Sequence, residues 1–257
     1  MKLVFVIAIV AIIIYTFRDS AGPILKELST TAPWVVITIC GAGVMYNVVE
    51  GWINYSFAKQ YNPQFTYRMG IESAFYCSFY RVATLGSGAG VAAVYYFNEK
   101  GIPVFQGTGM YMVEYAIHKV TIAIFSIIFF LLNFGFMKEH YSEYFNLLIA
   151  GYVLTAVIAT ALLLFCCSKK FHGILLFLVD KLNRKGKFDA QAAMLREQCG
   201  ILEDAAGMLL TKGKLIASIV AKNLLKFAFC YGIPFVILYR EYGLTLLQSW
   251  AVTSLGF

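Results

Sequence analysis

The chain has 257 residues, of which 60% are hydrophobic and 14% are charged. A soluble domain carries about a quarter charged residues, so this composition, with a mean hydropathy of +0.72, excludes an ordinary soluble protein and predicts an integral membrane protein. The formal charge of +7 lies between apolar runs rather than on a soluble surface, which favours anionic lipid over nucleic acid as the partner.

Apolar runs of roughly 20 residues, the length that crosses a hydrocarbon core of about 30 Å, predict an all-α polytopic membrane protein with about six spans. We place all of them in a single transmembrane domain, 1–257. The predicted spans are 3–17, 32–57, 110–136, 145–167, 215–239 and a partial span, 244–257. The charges of Arg18 and Asp19 favour an uncleaved first span over a signal peptide. The partial span is too short to cross without tilt, so we expect a fragment or a natural truncation.

Residues 69–97 lack the continuous apolar run that is typical of a single membrane span. Glu72, Arg81 and a glycine-rich run after Leu85 interrupt two short apolar pieces. We predict a re-entrant hairpin that enters and leaves on the same side, because broken backbone at membrane depth is tolerated only inside protein or beside a cavity.

The one long polar segment is 168–214, with nine Lys/Arg against five Asp/Glu. The positive-inside rule places it, and with it the N-terminus, on the cytoplasmic side of a cell membrane. Within this segment the spacing of Leu195, Cys199, Leu202 and Leu209 predicts an amphipathic helix, and Asp189 is a plausible N-cap for that helix.

The glycine cluster fits no nucleotide-binding template, since a dinucleotide fingerprint starting at Gly86 would need glycine at Val91. Two interpretations are open. The spacing of Gly86 and Gly90 suits close helix packing. Alternatively, Gly86, Gly88 and Gly90 line a path for lipid or ions along the hairpin.

Charged residues inside the predicted spans are candidates for a site, because such residues are costly in lipid. Arg81 has two interpretations. It binds a phosphate through its guanidinium, or it is an interfacial arginine whose side chain extends to the lipid headgroups. Glu114 and His118 lie one helical turn apart, next to Lys119. Glu114 either forms a structural ion pair, with Lys119 or Lys226, or takes part in transport.

Two further lysines and the possible metal ligands complete the candidates. We expect Lys226 near mid-membrane, where it needs a partner, and Lys222 extending to the headgroups. No metal site is predicted, because His118, His140 and His172 are isolated from one another and from any cysteine pair. No cofactor or catalytic residue is predicted, and no soluble stretch is large enough for a catalytic domain.

Several short motifs resemble the membrane domain of the lysylphosphatidylglycerol synthase and flippase family of Gram-positive bacteria, of the multiple peptide resistance factor type. The motifs are Arg81-Val-Ala-Thr, Gly86-Ser-Gly, Ala92-Ala-Val-Tyr-Tyr-Phe, Lys100-Gly-Ile-Pro, Ile117-His-Lys and Tyr231-Gly-Ile-Pro-Phe. The hairpin departs from the Thr-Pro and Gly-Gly-Gln-Pro motifs of many members. Full-length members also carry a cytoplasmic aminoacyl-transferase domain, which nothing in this sequence resembles.

The resemblance implies a flippase-like protein that handles an aminoacylated or anionic phospholipid, such as lysyl-phosphatidylglycerol, and so contributes to envelope charge and resistance to cationic peptides. Arg81 would hold the lipid phosphate, and Glu114 or Glu72 would meet the lysyl ammonium. A separate aminoacyl-transferase domain and a second copy of the chain are possible partners.

Two alternatives remain open. The family name implies a phosphatidylglycerol lysyltransferase that uses lysyl-tRNA, and only this alternative requires tRNA as a partner. The buried charges would also suit a secondary transporter of a small solute.

Overall fold

The structure, a computed structural model, describes residues 29–183 apart from 87, residues 189–254, and positions 22 and 26. Within these ranges the chain is helical and contains no strand. The predicted span 3–17 and the last three residues of the partial span 244–257 lie outside the described residues.

The described residues form eleven α-helices, which differ widely in length. In chain order they are α1 (Pro33–Ala58), α2 (Tyr67–Ala83), α3 (Ala89–Glu99), α4 (Val104–Leu132), α5 (Phe134–His140), α6 (Phe145–Cys167), α7 (Lys169–Leu182), α8 (Asp189–Leu209), α9 (Gly213–Gly232), α10 (Phe235–Tyr242) and α11 (Leu246–Thr253). A 3-10 turn, Ser142–Tyr144, precedes α6.

Four stretches of the described chain are helical, long and apolar enough to cross a membrane: Pro33–Ala58, Val104–Leu132, Ser142–Ala161 and Gly213–Gly232. They are compatible with the predicted helical membrane protein. Six spans are not reached among the described residues. In the region of the predicted hairpin, α2 has 17 residues and α3 has 11, and neither is among the four candidates.

The largest difference from the predicted boundaries is in the span 215–239. The helix α9 ends at Gly232, and a second helix, α10, begins at Phe235. Pro234 lies between them, and proline lacks the N–H that would continue the hydrogen-bond ladder. The predicted span is therefore divided into two helices.

The helices α1 and α2 pack at unusually close range because glycines face each other. A Cβ atom built on Gly70 would lie 2.3 Å from the carbonyl oxygen of Gly51. Any larger residue at either position would collide with backbone. This contact holds α2 against the second half of α1.

Three loops lie together at one end of the helix bundle: the loop between α1 and α2, the loop after α3 and the loop before α9. The Asn62 amide donates to the Lys100 carbonyl oxygen at 2.8 Å, and the Lys212 ammonium donates to the Gln60 side chain at 2.8 Å. The start of α2, the end of α3 and the start of α9 therefore lie together. We call this the junction end.

The hairpin of α2 and α3 turns at the opposite end from these contacts. The turn contains Leu85 and Gly86, with positive φ values of 50° and 98°. Positive φ favours glycine, and a leucine in this conformation is uncommon. The turn carries the chain from Arg81 in the last turn of α2 to the start of α3.

The predicted amphipathic helix is α8. Its residues Cys199, Leu202 and Leu209 are buried, and Leu195 is half-buried. Asp189 is the first residue of the helix rather than the residue before it, a difference within the usual uncertainty of helix ends. A Cβ on Gly109 would lie 2.6 Å from that of Ala205, so α8 packs closely against the beginning of α4.

Candidate functional site

A cavity of about 300 Å³ lies between α1, α2, α3 and α4. It is lined by most of the polar residues that the sequence places in apolar segments, together with three small residues of the hairpin. The polar lining consists of Tyr46, Glu50, Asn54, Arg81, Tyr111, Glu114, Tyr115, His118 and Lys119, the small residues are Gly86, Ala89 and Ala93, and Cys77 completes the lining.

The cavity lies deep within the helices. At 1.5 Å per residue, Glu50 is about 12 Å from the end of α1 at Ala58, and Glu114 is about 15 Å from the start of α4 at Val104. Both helix ends adjoin the junction end. Since a hydrocarbon core is about 30 Å thick, these residues would be close to its middle.

One wall of the cavity contains a buried ion pair. The ammonium of Lys226, which is fully buried, contacts the Glu50 carboxylate and also lies 2.9 Å from Nδ1 of His118. For Lys226 to donate to it, Nδ1 must carry no proton. The charge of Glu50 is therefore already balanced by a residue of the protein.

Glu114 is buried on the same helix as His118, but its environment differs. Neither of the predicted ion pairs forms. Lys226 pairs with Glu50, and the Lys119 ammonium lies 5.7 Å from the centre of the Tyr115 ring. Within the described residues the Glu114 carboxylate makes no hydrogen bond or ion pair. It lines the cavity without a contacting counter-charge.

Arg81 brings a positive charge to the same cavity from α2. Its side chain is partly buried and lines the cavity together with Tyr46 of α1. Arginine presents several N–H donors in a planar fork that suits a phosphate or carboxylate. Arg81 and Glu114 thus place a guanidinium and a carboxyl group on one cavity.

The three glycines of the predicted hairpin have different surroundings. Gly86 lines the cavity within the turn. The Gly88 N–H donates to the Thr84 hydroxyl at 2.6 Å. A Cβ on Gly90 would lie 2.9 Å from the Tyr111 ring. The geometry therefore places Gly86 at the cavity and Gly90 at a close helix contact.

Glu72 is not brought to the cavity. The Arg68 side chain donates to its carboxylate at 2.9 Å and the Tyr96 hydroxyl donates at 3.0 Å. The hydrogen bond from Tyr96, followed by the one from Arg68, lowers the pKa of Glu72 from its usual value. This carboxylate is already satisfied by the protein.

Lys222 does not extend to the headgroups as predicted. It is buried, its ammonium donates to the Ser56 hydroxyl at 2.7 Å, and it lies 4.5 Å from the centre of the Trp52 ring. Both partners belong to α1. The two lysines of α9 therefore serve the contact between α9 and α1.

The sequence interpretation missed Glu50, Tyr46 and Asn54. Glu50 is the sole acidic residue of α1, and a lone carboxylate in an apolar helix signals a buried partner or a site. That signal was available in the sequence. The pairing with Lys226, across 176 positions of the chain, was not.

Metal-ligating side chains are not gathered at the cavity. The described ranges contain no group of three His, Cys, Asp or Glu residues placed to hold a metal ion. His118 contacts Lys226, His172 contacts Glu203, and His140 contacts the Phe136 carbonyl oxygen.

No family model, curated protein or solved structure matches the chain. The cavity is interpreted from its own chemistry.

Proposed function

We propose that this membrane protein binds the headgroup of a phospholipid that carries both a phosphate and an ammonium group, such as lysyl-phosphatidylglycerol, and moves it between leaflets as a flippase does. The observation that carries the proposal is the pair of Arg81 and Glu114 on one cavity. Arg81 would bind the phosphate, and Glu114 would bind the ammonium.

The charges of the other cavity residues support this assignment. Because Lys226 contacts Glu50, these two groups balance each other, and the Arg81 guanidinium and the Glu114 carboxyl remain to bind groups of a ligand. Lys119, which also lines the cavity, adds a second donor for a phosphate. Hydrogen bonds to charged groups are the stronger ones in proteins, and a deep cavity shields them from water.

The hairpin supports access for a lipid. We propose that α2 and α3 form a re-entrant hairpin, because the Asn62–Lys100 hydrogen bond holds its two ends together. Its turn, with Gly86, lines the cavity. A headgroup could reach Arg81 along the hairpin while its acyl chains stay in the hydrocarbon.

Binding by the purified protein tests the two roles separately. We expect Arg81→Gln to weaken retention of both phosphatidylglycerol and lysyl-phosphatidylglycerol, measured by mass spectrometry of the lipids that copurify from a defined mixture. Glu114→Gln should weaken retention of the lysyl ester alone. Each loss should be about tenfold or more, since a hydrogen bond to a charged group contributes about 1.5–3 kcal/mol.

Arg68→Gln and Glu72→Gln are matched controls, because they make the same changes of charge on α2 outside the cavity. Both should retain lipid like the unaltered protein. Equal retention of the two lipids by all variants would contradict the proposed headgroup site.

Movement between leaflets is tested in cells that make lysyl-phosphatidylglycerol. An amine reagent that does not cross membranes measures the lipid in the outer leaflet. Arg81→Gln and Glu114→Gln should reduce its labelling at normal protein levels, and the two α2 controls should not. Unchanged labelling in the cavity variants would rule out the flippase role.

A secondary transporter of a small zwitterionic solute is the second candidate, because the same two side chains would bind a free headgroup. It is distinguished by competition. If the water-soluble headgroup displaces the lipid and is taken up by vesicles containing the protein, the solute is the substrate. A lipid-binding protein should require the acyl chains.

A further inference from the structure

The helix α7 has its polar face towards protein and its apolar face outwards. His172, only 2% exposed, contacts the Glu203 carboxylate of α8 at 2.7 Å. Asp180 contacts Arg196 of α8, and the Asn183 amide donates to Asp189 at 2.7 Å. A run of polar contacts therefore attaches α7 to α8.

The opposite face of α7 is apolar and uncovered. Ile174, Phe177 and Leu178 are 59%, 64% and 47% exposed, and their spacing places them on one side of a helix. Lys170 and Lys181 extend the same stripe at its two ends, and both are exposed. A surface helix of a soluble domain has the reverse arrangement, with its apolar stripe towards the core.

The position of α7 in the chain limits what can cover this face. A single residue, Ser168, separates α7 from α6, and α6 begins within the candidate span Ser142–Ala161. The start of α7 is therefore at the end of an apolar helix, close to the membrane surface. Lysines beside an apolar stripe are typical of helices that lie in the interface of anionic membranes.

We propose that α7 lies along the membrane surface, with Ile174, Phe177 and Leu178 among the acyl chains and with Lys170 and Lys181 bound to anionic headgroups. The apolar face is removed from water by lipid. The polar face remains available for α8, which packs on α4 near the cavity. Each lysine near an anionic surface should change the ratio of inserted to detached helix about fivefold.

Tryptophan fluorescence of the whole protein in vesicles tests the proposal. The variants Phe177→Trp and Leu178→Trp are compared with the unaltered protein, so that the emission of the native tryptophans is subtracted. In vesicles containing phosphatidylglycerol we expect the added emission to be blue-shifted and strongly quenched by lipids with brominated acyl chains. Using two positions guards against one substitution that prevents folding.

Glu197→Trp, on an exposed position of α8, is the matched control and should be quenched little. Replacing Lys170 and Lys181 with Gln should reduce the quenching at position 177 in anionic vesicles and leave it unchanged in neutral ones. Two results at position 177 would overturn the proposal. Red-shifted, unquenched emission would show that the apolar face of α7 is in water. Blue-shifted, unquenched emission would assign the face to a second copy of the chain. Equal quenching of the lysine variant in anionic vesicles overturns the role of anionic lipid.

Discussion

The Glu50–Lys226 pair is the most deeply placed pair of charges among the described ion pairs. The Lys226 side chain has no exposure, whereas the Glu50 carboxylate borders the cavity and is 11% exposed. Removing one partner of a buried pair leaves a charge without compensation. The two single losses should therefore have unequal effects, because the two remaining charges have unequal access to water.

We expect Glu50→Gln to lower the free energy of unfolding by about 3–5 kcal/mol, since it leaves the fully buried Lys226 without its carboxylate. Lys226→Met should cost less, because Glu50 can be hydrated from the cavity. Thermal unfolding of the purified protein in detergent, followed by circular dichroism, measures both.

The double variant is the control for this prediction. If the pair acts through mutual compensation, Glu50→Gln with Lys226→Met should be more stable than the sum of the single losses indicates. Strictly additive losses would show that the two groups do not interact.

At the scale of single residues, the sequence indicated much of the cavity. Arg81, Glu114, His118 and Lys119 are candidates from the sequence because charge in an apolar run is rare, and the structure places all four on one cavity. The partner of Lys226 was not predicted, since the sequence identifies residues that need partners but does not order the helices in space.

At the scale of helices, the closest packing is between α1 and α2 at Gly51 and Gly70. The atom opposite Gly70 is a backbone oxygen, which cannot rotate away as a flexible side chain would. A methyl group at this position must therefore move a helix. The spacing of glycines in the hairpin did not predict this contact, because the two glycines belong to different helices.

We expect Gly70→Ala to destabilise the protein by about 1–3 kcal/mol, the usual cost of overpacking. Gly43→Ala on α1 is the matched control, since nothing lies within 4 Å of its added Cβ. The control should be neutral or stabilising by about 1 kcal/mol, because alanine is the better helix former. The midpoints of thermal unfolding should separate the two variants, and equal midpoints would contradict the close contact.

The helix boundaries show where sequence patterns are weakest. Hydropathy predicted α1 as 32–57, within one residue of its observed bounds. Hydropathy also predicted that the last full span continues through Pro234, because the residues on both sides of this proline are apolar. The backbone hydrogen bonds of the helix nevertheless end there. The proline was the better guide to the end of α9.

At the scale of the whole molecule, the junction end makes a prediction about sidedness. Gln60, Asn62, Lys100 and Lys212 meet there, so the loops that contain them should share one side of the membrane. The loop around Glu143 follows α4 and should lie on the other side. A single crossing of the membrane by residues 69–97 would separate Asn62 from Lys100.

Single cysteines at Lys59, Lys100 and Lys212, in a background without the native cysteines, should react with an impermeant thiol reagent from the same side of sealed vesicles. Glu143→Cys should react from the opposite side. Labelling of the first two positions from opposite sides would contradict a re-entrant hairpin.

The burial of Lys222 and Lys226 against α1 has a consequence for biosynthesis. A lysine at the centre of a helix adds about 2.5–3.5 kcal/mol to the cost of entering lipid from the translocon, and α9 carries two. Their partners Ser56 and Glu50 belong to α1, which the ribosome makes some 170 residues earlier. We therefore expect α9 to insert stably only after α1 is in the membrane beside it, because α1 supplies the partners of the two lysines.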